Sequence, residues 1–243
     1  HLTKDIEFID QQTNRRLESI DKCGNLIPKH MQIYQEANVL DKFGFKLLNG
    51  PDPHGPQETN AGILVDKVYV DMAIKKINTF TEDYFMVLSL VEPHDIVYHP
   101  YLWRLWSNPN PQMNFNNADL TGITDNEDIS VLPLAYRNWV QNYGKYFATQ
   151  NVYSYRSFYY YLLTILDAEL AKLFDCLKSK DVTLFFTSDH GDMLGSHGGG
   201  YQKWYSLFEE VTHVPFNIIN FKSIIKKDVI ALTSHIDILP TIL

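Results

Sequence analysis

The chain has 243 residues, of which 45% are hydrophobic, 14% aromatic and 21% charged, and its formal net charge is −8. This composition supports one sizeable core and excludes a disordered chain, while the net negative charge argues against nucleic acid or an anionic membrane as the main partner. No apolar run reaches the roughly 18 residues of a membrane span. We therefore interpret residues 1–243 as a single domain.

Residues 65–90 predict a helix followed by a strand. Apolar side chains recur at helical spacing, so we expect an amphipathic helix that packs on a sheet. These side chains are Val65, Tyr69, Met72, Ala73, Ile77 and Phe80. The apolar run from Tyr84 to Leu90 is typical of a strand that is buried on both faces. His94 and Asp95 follow this run, so polar side chains stand just beyond the carboxyl end of the predicted strand.

The middle of the chain predicts a loop and then a long helix. Residues 104–130 are rich in Asn, Pro and acidic residues, which indicates a surface loop insertion. Such a loop either takes part in substrate selection or is a plain insertion. Residues 151–180 carry one apolar stripe at helical spacing, so they predict the clearest helix of the chain. The stripe consists of Tyr159, Leu162, Leu166, Leu170, Leu173 and Leu177.

The run 182–187 predicts a buried strand that ends in Ser188-Asp189-His190-Gly191. A carboxylate and an imidazole at Asp189 and His190 suit a divalent cation, and Lys203 in the following glycine-rich loop suits a compact anion beside a metal. The residues alone leave a second interpretation open, in which Asp189 caps the next helix and His190 is a surface histidine. Strands 84–90 and 182–187, as parallel neighbours, would bring their polar ends into one crevice.

The glycine-rich loop from residue 191 to Lys203 is called the lysine loop below. The last predicted elements follow it. Residues 214–219 predict a strand with Pro215 near its start, and residues 228–233 predict a further strand. In the segment after these strands, Asp237 is placed to cap a helix whose first turn contains Pro240.

Three motifs in chain order resemble the sulfatase family of the alkaline-phosphatase superfamily. They are S-L-V-E-P-H-D at 89–95, S-D-H-G-D-M-L-G-S-H-G with Q-K-W and F-E-E-V-T-H-V-P-F within 188–216, and S-H-I-D-I-L-P-T at 234–241. The resemblance implies an α/β layered fold with a mostly parallel central sheet flanked by helices, incomplete at both ends of this chain. It also implies a hydrolase whose substrates are small-molecule or glycan sulfate esters.

The resemblance assigns roles to four residues of these motifs. Asp189 and His190 match the ligands of the active-site metal, a divalent cation that the family likeness implies is calcium, with zinc or manganese as alternatives. Lys203 matches the lysine that contacts the sulfate. His94 matches the histidine that binds the sulfate and protonates the leaving oxygen.

Two further histidines resemble site residues on weaker patterns. His1-Leu2 fits the end of a G-K-x-H-L segment, whose histidine contacts the nucleophile, and a disordered terminal residue is the alternative. His54 stands in a Pro/His/Gly loop of the kind that borders the substrate pocket, and a solvated loop histidine is the alternative.

Sulfatases of this kind use a formylglycine made from the first residue of C-x-P-x-R. Cys23 begins C-G-N-L-I and Cys176 begins C-L-K-S-K, so the resemblance implies an upstream nucleophile and we expect the chain as written to be inactive. A phosphodiesterase or phosphonate monoester hydrolase of the same superfamily is an alternative, in which His197 or His213 would join a two-zinc site. A non-catalytic remnant or binding module is a third interpretation.

Overall fold

A computed structural model describes residues 8–21, 24–46, 50, 61–99, 124, 126–144, 152–223 and 227–243. The helices are α1 (Pro28–Ala37), α2 (Ala61–Ile77), α3 (Leu134–Asn138), α4 (Val152–Leu177), α5 (Ser196–Gly199), α6 (Glu209–Thr212) and α7 (Ile238–Ile242). Turns of 3-10 helix lie at Asp41–Phe43, His94–Tyr98, Ile129–Val131 and His235–Asp237, and a π-helical turn lies at Trp139–Gly144. The strands are β1 (Ile9–Asp10), β2 (Arg15–Arg16), β3 (Thr183–Thr187) and β4 (Phe216–Asn220).

Several sequence predictions fall outside these residues. His1, His54 and Cys23 lie there, as does most of the predicted loop 104–130. Within the described ranges, none of the helices is both long and apolar enough to cross a membrane.

The two long helices α2 and α4 pack against each other and confirm the helices predicted over 65–80 and 151–180. Val70 and Ile77 of α2 meet Leu173 and Leu177 of α4 in one buried cluster. Partly buried side chains complete this cluster, including Met86, Leu88, Leu90, Val182 and Leu184. The strand that carries the candidate metal ligands is therefore fixed to the C-terminal half of α4.

The N-terminal half of α4 forms a second buried cluster. Tyr155 and Phe158 have no exposed surface, and they pack with Leu162, Ile96 and Tyr201. Ile96 belongs to the turn that begins at His94, and Tyr201 belongs to the loop that leads to Lys203. One helix face thus contacts both of these turns.

β3 confirms the strand predicted over 182–187, and β4 confirms the one predicted over 214–219. The two strands pair antiparallel, from Thr183 opposite Asn220 to Thr187 opposite Phe216. The other described sheet, β1 with β2, is also an antiparallel pair. The helices and strands agree with an α/β class, whereas the described residues do not confirm a mostly parallel central sheet.

The strands predicted over 84–90 and 228–233 are wrong, because neither segment is a strand in the structure. Residues 85–90 run with alternating exposure: Met86, Leu88 and Leu90 face the core, while Phe85 and Val87 are exposed. This alternation is that of an extended chain, and what is missing is a ladder of backbone hydrogen bonds. Residues 228–233 lie fully on the surface.

The segment after residues 228–233 contains the cap predicted at Asp237, but the side chain caps the 3-10 turn His235–Asp237 and not α7. Asp237 accepts the Ser234 backbone N–H at 2.7 Å, which completes a capping box on the turn His235–Asp237. Asp237 also stands at the N-cap position of α7, where its side chain makes no capping hydrogen bond. Pro240 lies within the first turn of α7, as the sequence predicts.

Three buried carboxyl groups surround the turn that leads into His94, and one of them comes from α2. Asp66 of α2 accepts the backbone N–H groups of Val91 and Glu92 at 2.7 and 2.8 Å. Asp66, Glu92 and Asp95 are all buried. Burial, with the nearby charges of Asp95 and Asp66, raises the pKa of Glu92 from its ordinary 4.5 to about 9. Glu92 is therefore protonated at neutral pH, which removes one negative charge from this turn.

Asp66→Ala will lower stability, since it leaves two amide N–H groups without their carboxylate acceptor. We expect the free energy of unfolding to fall by about 3 kcal/mol in urea titrations. Asp71→Ala on the exposed side of the same helix is the matched control, with an expected change of less than about 0.5 kcal/mol. Equal effects of the two changes would contradict the anchoring role of Asp66.

Glu92→Gln will remove a pH dependence of stability. The folded protein holds a proton on Glu92 that the unfolded chain releases, so the free energy of unfolding falls as pH rises from about 4.5 to about 9. His99 acts at lower pH: burial lowers its pKa from 6.5 to about 4, so stability is lost as pH falls through that range.

The interval from pH 6.5 to 9 therefore isolates Glu92. We expect the wild-type chain to lose on the order of 2 kcal/mol across it in urea unfolding, and Glu92→Gln to lose much less. The exposed Glu82→Gln should retain the wild-type slope. Parallel slopes for all three proteins would show that Glu92 is ionised when folded.

Candidate functional site

β3 delivers Asp189 and His190 side by side at its carboxyl end. The Asp189 Oδ2 atom lies 3.5 Å from His190 Nε2, and the side chains are 69% and 32% exposed. Asp189 Oδ1 accepts the His190 backbone N–H at 3.0 Å, which turns the carboxylate toward the imidazole. The two side chains therefore point to the same side of the strand end.

The ring of His190 is oriented by the backbone of the next residue. His190 Nδ1 lies 2.9 Å from the carbonyl oxygen of Gly191. A carbonyl oxygen only accepts hydrogen bonds, so Nδ1 carries the hydrogen and Nε2 has a free lone pair in the neutral ring. Ser188 holds the same turn, because its hydroxyl donates to the His190 carbonyl at 2.8 Å. The lone pair is thus on Nε2, the ring nitrogen 3.5 Å from Asp189 Oδ2, and metal-binding histidines are commonly oriented by such a hydrogen bond from their other ring nitrogen.

Gly191 is required by the close approach of α6. Its N–H donates to Val211 O at 2.9 Å, and a Cβ atom at position 191 would lie 2.0 Å from the carbonyl oxygen of Glu210. No larger residue fits against that backbone. The glycine after His190 therefore lets the turn of the candidate metal ligands pack directly on the segment that follows the lysine loop.

The lysine loop is closed by backbone hydrogen bonds. Met193 N–H donates to Gln202 O at 3.0 Å, and Gly195 N–H donates to Gly200 O at 2.7 Å. The side chain of Arg156 on α4 reaches the loop, where its Nε donates to Leu194 O at 2.9 Å. The position of Lys203 relative to β3 is therefore set by a closed loop attached to α4.

Asp192 lies half-buried at the base of this loop. Its carboxylate accepts the Leu194 backbone N–H at 2.8 Å. Burial raises the pKa of Asp192, and this rise is opposed by the backbone amides of Leu194 and Gln202 and by the nearby His190 and Lys203. His190 and Lys203 therefore both lie within electrostatic range of Asp192. Sequence reasoning missed Asp192, although it stands beside Gly191 in the same motif.

His94 begins the 3-10 turn His94–Tyr98 and is partly exposed. Its Nδ1 atom lies 3.6 Å from Oδ1 of the buried Asp95. The turn has no side-chain cap at its N-terminus. A carboxylate beside Nδ1 leaves Nε2 as the ring nitrogen that faces away from Asp95.

The structure brings some of the predicted site residues together directly and others through α4. Asp189 and His190 are adjacent, and His190 and Lys203 both lie near Asp192. The turn of His94 and the loop of Lys203 meet through the contact of Ile96 and Tyr201 with α4. A single anion shared by His94 and Lys203 stays a prediction.

The two histidines that would mark a two-zinc site have other partners. His197 lies between two carboxylates, Glu127 at Nδ1 and Glu210 at Nε2, the latter at 3.1 Å, and its ring stacks on Phe208. His213 is exposed and pairs with Glu209 at 3.1 Å. In the described part of the chain, no three His, Cys, Asp or Glu side chains are arranged to hold a metal. The alternative two-zinc reading is therefore not favoured.

The chain is similar in sequence to three proteins named Arylsulfatase K. Arylsulfatase K from Gallus gallus is 31% identical over 112 residues, which cover 44% of this chain and 21% of that protein. Arylsulfatase K from Danio rerio is 32% identical over 113 residues, covering 44% and 21%. Arylsulfatase K from Bos taurus is 28% identical over 112 residues, covering 44% and 20%.

The aligned stretch thus spans about a fifth of the length of these curated relatives. No solved structure matches the chain significantly. The family likeness nevertheless extends over most of the sequence, because a model of the sulfatase family matches residues 25–243. The chain therefore belongs to the sulfatase family.

Proposed function

We propose that this chain provides the metal-binding and sulfate-binding side chains of an enzyme that hydrolyses sulfate esters. The observation that carries the proposal is the pairing of Asp189 with His190, whose Oδ2 and Nε2 atoms are 3.5 Å apart and face each other at the end of β3. Membership of the sulfatase family supports the same reaction class.

The pair suits one divalent cation. Two ligand atoms that are each about 2.0–2.6 Å from the same ion lie about 3–4 Å apart when they are neighbours around it. The separation of Asp189 Oδ2 and His190 Nε2, 3.5 Å, falls in this range. We propose calcium from the family likeness. Zinc and manganese are competitors, because they accept an imidazole ligand more readily than calcium does.

Lys203 and His94 are proposed to hold the sulfate. The ammonium group of Lys203 would supply positive charge to the sulfate oxygens, and the closed loop holds the backbone that carries it. His94 presents Nε2 on the side away from Asp95, where it can donate a proton to the leaving alcohol oxygen. The bound cation would stabilise negative charge on the sulfate oxygens in the transition state.

The covalent nucleophile of this chemistry is not encoded in residues 1–243. Neither cysteine begins a C-x-P-x-R segment from which formylglycine is made. The tests that suit this chain are therefore binding measurements, which report the metal and anion sites without turnover.

Asp189→Asn will weaken calcium binding by at least about tenfold, because it removes the anionic oxygen of the pair. Isothermal titration calorimetry with calcium chloride measures the dissociation constant. Asp175→Asn is the matched control, since Asp175 is 71% exposed and Asp189 is 69% exposed. The same titration with zinc and manganese ranks the three ions. Unchanged calcium binding in Asp189→Asn would remove Asp189 from the metal site.

Lys203→Ala and His94→Ala will each weaken binding of inorganic sulfate by about tenfold, the loss expected for one charged hydrogen bond. The affinity is measured by titrating the calcium-loaded chain with sulfate and monitoring the titration by NMR. Lys178→Ala is the control, because Lys178 is an exposed lysine that pairs with Asp175 instead.

The double change tests whether the two residues share one ion. Groups that hold the same anion are coupled, so the combined loss should differ from the sum of the two single losses. Additive losses, or an effect of only one residue, would contradict the shared sulfate site.

A further inference from the structure

The side chain of His197 is held between two carboxylates, and the candidate metal and sulfate sites use none of these three groups. Glu127 lies at its Nδ1 atom, and the Oε2 atom of Glu210 lies 3.1 Å from its Nε2 atom. The His197 side chain is 12% exposed, and its ring stacks on Phe208 with 3.7 Å between the ring centroids. We call Glu127, His197 and Glu210 the histidine clasp.

The hydrogen bonds of the clasp need a charged imidazole. An ionised carboxylate only accepts hydrogen bonds, and a neutral imidazole has a single N–H group. Both ring nitrogens of His197 lie within hydrogen-bond distance of a carboxylate oxygen. Both contacts are therefore made together only when each nitrogen carries a hydrogen. The charged ring also separates two like charges that would otherwise repel each other.

The titratable groups that face His197 come from three elements. Glu127 precedes the turn at residues 129–131, and Glu210 belongs to α6. Tyr136 of α3 donates its hydroxyl to the His197 carbonyl at 2.9 Å. Burial and the two glutamates raise the pKa of Tyr136, so its hydroxyl stays neutral. Asp128 bonds within its own turn, so the two glutamates are the charges that respond to the ring of His197.

The backbone of His197 is fixed independently of its ring. Its φ angle is 51°, in the left-handed region, which persists in a non-glycine residue where the surrounding structure requires it. Its N–H donates to the Thr124 hydroxyl oxygen at 3.1 Å, and the next N–H, of Gly198, donates to the Thr124 carbonyl at 3.1 Å. The ring is therefore presented to α6 from an anchored part of the lysine loop.

Glu210 connects the clasp to the turn of the candidate metal ligands. Its side chain contacts His197, while its backbone carbonyl lies so close to Gly191 that a Cβ atom there would be 2.0 Å from the oxygen. The next residue, Val211, accepts the Gly191 N–H at 2.9 Å. The helix α6 has four residues and no side-chain cap, so its position depends on tertiary contacts such as the clasp.

We propose that His197 is a positioning residue for the candidate metal site. In its charged form it holds Glu210, and through α6 it fixes the Gly191 turn that presents Asp189 and His190. This inference rests on the proposed metal site at the end of β3. When the ring loses its proton, one ring nitrogen faces a carboxylate without a hydrogen to donate. The contact with one glutamate then breaks, and the Gly191 turn loosens as pH rises.

Glu210→Ala tests the contact, with the neighbouring Glu209→Ala as the matched control. Both glutamates lie in the first turn of α6, but Glu209 is exposed and pairs with His213. Amide exchange followed by NMR measures the protection of the Gly191 N–H relative to the amides of α4. We expect Glu210→Ala to lower this protection about tenfold at about pH 6, and Glu209→Ala to leave it unchanged. Equal protection in the two variants overturns the inference.

A pH series tests whether the charge of His197 matters. The protonation of His197 is followed by its own ring signals in NMR spectra from about pH 5 to 8.5. We expect the protection of Gly191, relative to α4, to fall in step with the loss of the His197 proton. The amides of α4 share any global change of stability, such as that from Glu92, so the ratio isolates the turn. A ratio that does not follow the ring of His197 overturns the inference.

Glu210→Gln and Glu127→Gln separate the charged clasp from packing alone. An amide side chain can donate to a neutral imidazole nitrogen as well as accept from a protonated one, so both ring nitrogens keep a partner at any pH. We expect either change to flatten the pH dependence of Gly191 protection. A role through size and stacking on Phe208 predicts the wild-type pH dependence in both variants, as does an origin in the neighbouring His190. That outcome overturns the inference.

Calcium titration separates this inference from the metal site itself. We expect Glu210→Ala to weaken calcium binding about threefold, less than Asp189→Asn, because Glu210 acts through the backbone of the turn. Weaker binding in Asp189→Asn with no effect of Glu210→Ala would support the metal site and overturn the positioning role. Unchanged binding in Asp189→Asn would overturn the metal site and the positioning role together, whereas the response of Gly191 would still show whether the clasp anchors the turn.

Discussion

The aromatic packing on the N-terminal half of α4 is the contact on which the candidate site depends. Tyr155 and Phe158 are fully buried there and touch both Ile96, beside the His94 turn, and Tyr201, at the start of the Lys203 turn. Close-packed rings fix the residues that they contact, because neither can move without opening a void. Two turns that are far apart in sequence are thereby held at a fixed separation by one rigid helix.

The site combines this scaffold with an unusual distribution of charge. A protein with a net charge of −8 does not attract an anion by its overall field, and carboxyl groups lie close to both turns. Their charge is largely compensated inside the fold: Asp66 and Asp192 accept backbone N–H groups, and Glu92 keeps its proton at neutral pH. The positive charge of Lys203 and of a bound cation can therefore act on an anion at short range.

The sequence predicts the elements whose formation depends on a local pattern of residues. The stripes of α2 and α4 extend over several turns, and the strand β3 is marked by the polar residues that end it. The run of apolar side chains at 84–90 predicts a strand buried on both faces. Whether it pairs with another strand depends on a partner elsewhere in the chain, which no local pattern encodes. The same limit hid Asp192, whose partial burial results from the packing of the closed lysine loop around it.

The turn that carries Lys203 contains two bulky residues at positive φ, and their strain is offset to different degrees. A bulky residue at positive φ costs on the order of 1–3 kcal/mol. At Gln202 that cost is offset, since the side chain is buried and bonded to Tyr155 and the backbone carbonyl accepts the Met193 N–H. At Tyr205 the side chain is mostly exposed, and its ring contact is with Trp139. The contacts of Tyr205 therefore offset less of this cost than those of Gln202 do.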